Sequence, residues 1–273
     1  MRSNLSKDIT IIIILYKTPL NKILNLKRYK HFKLILFEQN ALNDSKKKIK
    51  KLLNFDFEYY YSNENLGLAR AMNLLIKKTK TKYCMVTEPD ITIDKKSIIK
   101  LKKIISKKRD FILVGPRYKK IKRNNEYEIT KKIDLSCVLF ETKRMLKFNF
   151  YDEDFFFFWT DIDLLKRVNE SSFKMAISNN SFASHKMSRS SNKTSYVSFL
   201  RDKSYKYGEL VFDYKYRKLR VVKIFRQLIQ NLVKVVFYII MIDKNNLMRS
   251  LGYIFGIIEF LKFLIKKTFK GFF

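Results

Sequence analysis

The sequence predicts an α/β fold with a mixed sheet, parallel in its first half, followed by a basic helical extension. Three observations predict it. Short β-branched and aromatic runs alternate with helical stretches through the first part of the chain, the pattern of strand–helix–strand units. The apolar runs lack polar alternation, as strands covered on both faces do. From residue 201 the periodicity becomes helical, with sixteen Lys and Arg against five Asp and Glu.

The elements follow in order. Residues 9–15, almost all Ile, form the first strand and end in the turn Tyr16-Lys17-Thr18-Pro19. Residues 32–37 form the second, followed by Glu38-Gln39-Asn40 and a Lys-rich helix over 45–53. A third strand, 57–61, runs through Ser62-Asn63-Glu64-Asn65-Leu66-Gly67 into a helix over 68–76. Residues 83–87 make a fourth strand, which leads into Glu88-Pro89-Asp90 and a helix over 95–106. Beyond residue 111 the pattern is more mixed, with strands at 111–114, 127–129 and 134–140 and a short helix at 141–146. Polar residues cluster at the carboxyl end of each early strand, where open α/β sheets bind ligands. A boundary is expected between an α/β domain, 1–200, and a helical tail, 201–273.

Composition narrows the function classes. With 273 residues and 47% hydrophobic side chains, the chain can bury a sizeable core and is not a disordered segment. The net charge of +33 favours anionic partners in general. Its lysines are spread along the whole chain, however, with no zinc-finger spacing or ribonucleoprotein signature, so nucleic acid has only charge in its favour. Cys84 and Cys137 lie in apolar runs, which argues against a disulfide framework or a zinc site and for a reducing cytosol. Residues 9–15 are too short for a signal-peptide core, so a cytoplasmic protein is expected.

The order of the polar clusters carries a resemblance. Tyr16-Lys17-Thr18, Glu38-Gln39-Asn40, the block from Asn65-Leu66-Gly67 through Arg70 to Asn73, Glu88-Pro89-Asp90, the aromatic run 155–159 before Thr160-Asp161-Ile162-Asp163, and finally His185 resemble the family 2 glycosyltransferases of GT-A fold. Within them the chain is most similar to the rhamnosyltransferase-like branch. The resemblance covers residues 8–195 and implies an inverting enzyme that uses a nucleotide-sugar donor and a glycan or lipid-linked glycan acceptor.

It also implies residue roles. Asp90, with His185, would bind a divalent metal, Mn²⁺ or Mg²⁺, for which hard oxygen ligands are suited. Thr18, Glu38, Asn40, Asn65, Gly67, Arg70, Asn73 and Glu88 would bind the nucleotide sugar. Asp161 would be the general base, with Asp163 as a second catalytic carboxylate. Read from the residues alone, Thr160 as a cap and two acids in the first turn also make a good helix start, and the two readings are compatible. Two positions depart from the family pattern. The second strand ends Glu38-Gln39-Asn40 instead of in an Asp-Asn pair, and Thr160 stands where a Glu usually precedes the base. A transferase-like protein without activity, or a basic membrane-surface binding protein, is the alternative.

In the tail, aromatic and aliphatic residues alternate with Lys and Arg at helical spacing, and no apolar stretch is long enough to span a bilayer. Such helices suit either the interface of an anionic membrane, on its cytoplasmic face, or packing on the preceding domain.

Overall fold

A computed structural model describes residues 6–121, 123–185 and 194–270. The chain divides into two compact units, one comprising residues 1–152 and 161–190, the other residues 153–160 and 191–273.

The first unit is built on a mixed sheet. Its strands are β1 (Ile9–Tyr16), β2 (Lys33–Gln39), β3 (Glu58–Ser62), β4 (Tyr83–Thr87), β5 (Ile91–Ile93), β6 (Phe111–Arg117), β7 (Tyr127–Thr130), β8 (Cys137–Glu141) and β9 (Lys174–His185). They are ordered β3-β2-β1-β4-β8-β6-β9-β5, with β7 also paired to β9. The expected parallel half is β3-β2-β1-β4. β8 then runs antiparallel to both β4 and β6. The Ile run of β1 is central and buried, with Ile11, Ile12 and Ile13 wholly inaccessible, which explains a strand without alternation.

Helices connect the strands. After β1 comes α1 (Leu20–Leu24), then α2 (Ser45–Leu53), α3 (Gly67–Lys78), α4 (Lys95–Lys107), α5 (Thr142–Phe148) and α6 (Thr160–Asn169). Local chemistry sets their ends. Asp94 caps α4 by accepting from the Ser97 backbone N–H at 2.6 Å, and Asn54 closes α2 in the left-handed conformation, as C-terminal caps commonly do. Helix α6 starts at Thr160 itself, whose hydroxyl donates to the Phe157 carbonyl at 3.0 Å, and it carries Asp161 and Asp163 in its first turn.

Two strands were not legible in the sequence. Neither residues 91–93 nor 174–185 carries a strand pattern in the sequence, yet β5 and β9 pair antiparallel, with Ile91 opposite His185. The polar run Ser178-Asn179-Asn180-Ser181 hides β9. Ser178 and Ser181 are wholly buried and satisfy each other at 3.0 Å, and Ser181 also donates to the Ser97 carbonyl.

The second unit contains α7 (Ser195–Lys215), α8 (Val221–Ile240) and α9 (Lys244–Lys270). The expected tail is therefore helical, starting at Ser195, and the aromatic run 155–159 belongs to this unit. Phe155 is buried with Leu210, Val211, Phe212, Ile257 and Phe260, and the Trp159 ring lies against Phe212. Close packing of α7 on α9 requires two glycines. A Cβ on Gly256 would lie 2.7 Å from the Lys203 carbonyl oxygen and 2.8 Å from the Lys206 Cβ, and one on Gly252 would collide with the Phe199 carbonyl.

Gly256→Leu is therefore expected to force the two helices apart. The cost should be about 1–3 kcal/mol, seen as a lower thermal midpoint in circular dichroism. An unchanged midpoint would contradict this packing.

Candidate functional site

Parallel register aligns the carboxyl ends of the first strands. Tyr16 is opposite Gln39 and Gln39 opposite Ser62, so the segments leaving β1, β2 and β3 emerge along one edge. At the end of β1 the Thr18 hydroxyl accepts from the Tyr16 N–H at 3.2 Å. After β2, Asn40 is exposed with φ 54°. Glu38 is half-buried and accepts from the Tyr59 hydroxyl at 2.5 Å. After β3, Asn65 Oδ1 accepts from the Gly67 N–H at 3.0 Å, and Gly67 adopts φ 79°, a conformation available to glycine at little cost. Arg70 lies on the exposed side of α3.

The loop after β4 carries the acidic groups. Glu88, Asp90 and His185 each bring a ligand atom within 4.8 Å of the others. Asp90 Oδ1 is 3.8 Å from His185 Nε2, and Asp90 Oδ2 is 3.4 Å from Lys22 Nζ. The two carboxylates supply the hard oxygens that Mn²⁺ or Mg²⁺ takes, and the imidazole nitrogen suits Mn²⁺ better than Mg²⁺. Desolvation, followed by the negative charges of Asp90, Asp134 and Asp161, pushes the Glu88 carboxyl up to about 7, with Lys22 opposing. The Glu88 side chain still reaches solvent, so the like charges are the more durable cause. Asp161 and Asp134 thus act on the same electrostatic site as the Glu88–Asp90 loop.

Asp161 is exposed at the start of α6 and accepts from the Tyr151 hydroxyl at 3.2 Å. Burial, and then the Asp161 charge, raise the Tyr151 pKa well above its ordinary value, so the phenol stays protonated and donating. Tyr151 is itself fixed by Asn73. Asn73 Nδ2 donates to the Tyr151 carbonyl at 2.8 Å, and Asn73 Oδ1 accepts from the Tyr151 N–H at 3.1 Å.

Several residues therefore sit differently from their expected places. Asn73, expected at the nucleotide, is buried and bonded to the Tyr151 backbone. Asp163, expected beside Asp161 as a catalytic carboxylate, is 2% exposed and accepts from Arg167 Nε at 2.8 Å. Arg167 in turn donates to the carbonyls of Asn149 and Phe150, which ties α6 to the segment that carries Tyr151. Lys22, Tyr151 and Gln39 were missed in the sequence. Gln39 is buried and its Oε1 accepts from the Leu66 N–H at 2.7 Å, holding the loop before α3. Only its place between the two polar residues Glu38 and Asn40 hinted at this role. Lys22 and Tyr151 carry no local signal.

Residues 16–168 match the model of the family described as Glycosyl transferase family 2. The match spans more than half of the chain. The chain belongs to glycosyl transferase family 2. Solved structures agree on the fold of this family 2 chain. A mannosyltransferase, PcManGT, from Pyrobaculum calidifontis, in complex with GDP-Man and Mn²⁺, is similar with a TM-score of 0.56 at 10% identity, over 76% of this chain and 64% of that one. GalNAc-T7 with UDP, GalNAc and Mn²⁺ gives 0.55 at 12% identity, over 65% and 43%. TarS of S. aureus gives 0.50 at 10% identity, over 89% and 54%. The chain thus spans less than two-thirds of the length of each. No curated protein matches the family 2 chain in sequence. Among the described residues both cysteines are free and buried, and burial pushes each thiol up to about 12.

Asn73→Ala would leave both Tyr151 backbone groups without their side-chain partner. A loss of about 1–3 kcal/mol is expected in urea unfolding, and an unchanged midpoint would show that Asn73 does not hold this segment.

Proposed function

We propose that this chain is a divalent-metal-dependent, inverting hexosyltransferase. It passes a sugar from a nucleotide-sugar donor to a hydroxyl of a glycan or lipid-linked glycan acceptor. One observation carries this reading: Glu88, Asp90 and His185 bring ligand atoms within 4.8 Å of one another in the acidic loop after β4, where the Asp161 charge is also felt. The Mn²⁺ present with UDP or GDP-Man in two similarly folded structures supports it. Resemblance to the rhamnosyltransferase-like branch favours a deoxyhexose as the sugar and a cell-envelope polysaccharide as the product.

Glu88, Asp90 and His185 would hold Mn²⁺ or Mg²⁺, which when bound neutralises the departing diphosphate as a Lewis acid. Lys22 brings a positive charge to the same place. The nucleoside would lie along the ends of β1, β2 and β3, against Thr18, Glu38, Asn40, Asn65, Gly67 and Arg70. Asp161 takes the proton of the acceptor hydroxyl as that oxygen attacks the anomeric carbon. The bond from this carbon to the diphosphate breaks and its electron pair leaves with the diphosphate. A single displacement from the opposite face inverts the anomeric centre. Tyr151, Asn73 and Asp163 act as positioning residues: the Tyr151 hydroxyl holds Asp161, Asn73 holds Tyr151, and the Asp163–Arg167 pair braces α6.

The test is release of nucleoside diphosphate from a panel of UDP-, dTDP- and GDP-sugars with Mn²⁺. Asp161→Asn is expected to lower kcat by about 10²–10⁴ with donor KM retained. Tyr151→Phe should lower kcat less and leave the fold intact. Full activity in Asp161→Asn would overturn the assignment of the base, and binding without turnover of any donor would favour a non-catalytic protein.

A further inference from the structure

One helix of the second unit leaves an apolar face uncovered. Helix α8 packs through Ile224 and Leu228 against that unit's core, with Asn231 also turned inward and buried. On the other side Phe225, Ile229, Leu232, Val233, Val236 and Ile240 are between 45% and 73% exposed. At the turn of an α-helix these six fall within a sector of about 100°, so they form one continuous stripe. The stripe continues into the corner before α9, where Ile242 is 89% exposed with φ 54°. Soluble monomers rarely leave a contiguous apolar patch of this kind open.

Charge identifies the occupant. Helix α8 contains no Asp or Glu; by helical geometry the exposed Arg226 sits at one edge of the stripe beside Val233, with the exposed Lys234 further round the same side. An apolar face with a cation at its edge and no acid on its own helix matches the two layers of an anionic bilayer interface, acyl chains beneath acidic headgroups. A second copy docked by twofold symmetry would bring the same face, with its cations, against itself. Among the described residues no helix is long and apolar enough to cross a membrane, so α8 would lie in the interface. We propose that α8 docks the protein on an anionic phospholipid surface through this face. The proposal does not depend on the transferase reading.

The experiment is co-sedimentation of the full chain with vesicles of phosphatidylglycerol and phosphatidylcholine, compared with phosphatidylcholine alone. The parent should bind the anionic vesicles preferentially. The triple variant Phe225→Gln, Ile229→Gln, Val236→Gln changes only exposed positions and no charge. It should partition at least about tenfold less with unchanged helical circular dichroism. The pair Arg226→Gln, Lys234→Gln should reduce the preference for anionic over neutral vesicles. A parent that does not sediment with anionic vesicles, or a triple variant that binds as well as the parent, would overturn the proposal. So would a face that mediates self-association, seen as a dimer in analytical ultracentrifugation that the triple variant abolishes without any vesicle binding.

Discussion

The antiparallel pairing of β5 with β9, which sets Ile91 opposite His185, is the constraint on which the geometry of the Glu88–Asp90–His185 cluster depends. Asp90 immediately precedes Ile91, so backbone register alone brings a histidine 95 positions later in the chain beside the acidic loop after β4. Both strands are held firmly. Ile91 and Ile93 are buried, and β9 also pairs with β6 and β7. A side-chain cluster fixed by a ladder of backbone hydrogen bonds has little freedom to adjust. That suits a site whose groups must be in place before the ligand arrives.

A second set of interactions governs Asp161. The carboxylate is exposed, and its orientation comes from Tyr151, whose backbone is clamped by Asn73 from α3. The Asp163–Arg167 pair bridges the first turn of α6 to the carbonyls just before Tyr151. The Asn73, Tyr151 and Asp163 side chains are buried, and their hydrogen bonds satisfy groups that would otherwise be costly to bury. Helix α3 and the helix with the proposed base are therefore linked through Tyr151.

Much of the fold was legible in the sequence because burial wrote it there. Ile11, Ile12 and Ile13 of β1 and the run of β4 are buried on both faces, and the second coincides with residues 83–87 as expected. β9 was not legible, because its polar run reads as a loop, while in the structure Ser178 and Ser181 satisfy each other and Asn179 bonds Arg117 and the Asn125 carbonyl. β5 was not, because three residues carry no periodicity. Of the proposed site, the acidic loop, Asp161 and His185 are suggested by order along the chain. The tasks of Asn73 and Asp163 could not, since a buried amide or carboxylate bonded to distant backbone looks the same in sequence as one that faces a ligand. Lys22 and Tyr151 became visible only through partners 68 and 10 residues away.

The central claim is that Glu88, Asp90 and His185 form a divalent-metal site that serves a nucleoside diphosphate. Its most direct test is Mn²⁺ titration followed by electron paramagnetic resonance, with and without UDP, dTDP or GDP, in the parent and in His185→Ala. The account predicts a saturable Mn²⁺ site that tightens with at least one nucleotide and weakens at least about tenfold in the variant. Absence of saturable Mn²⁺ binding, or binding indifferent to loss of His185, would contradict it.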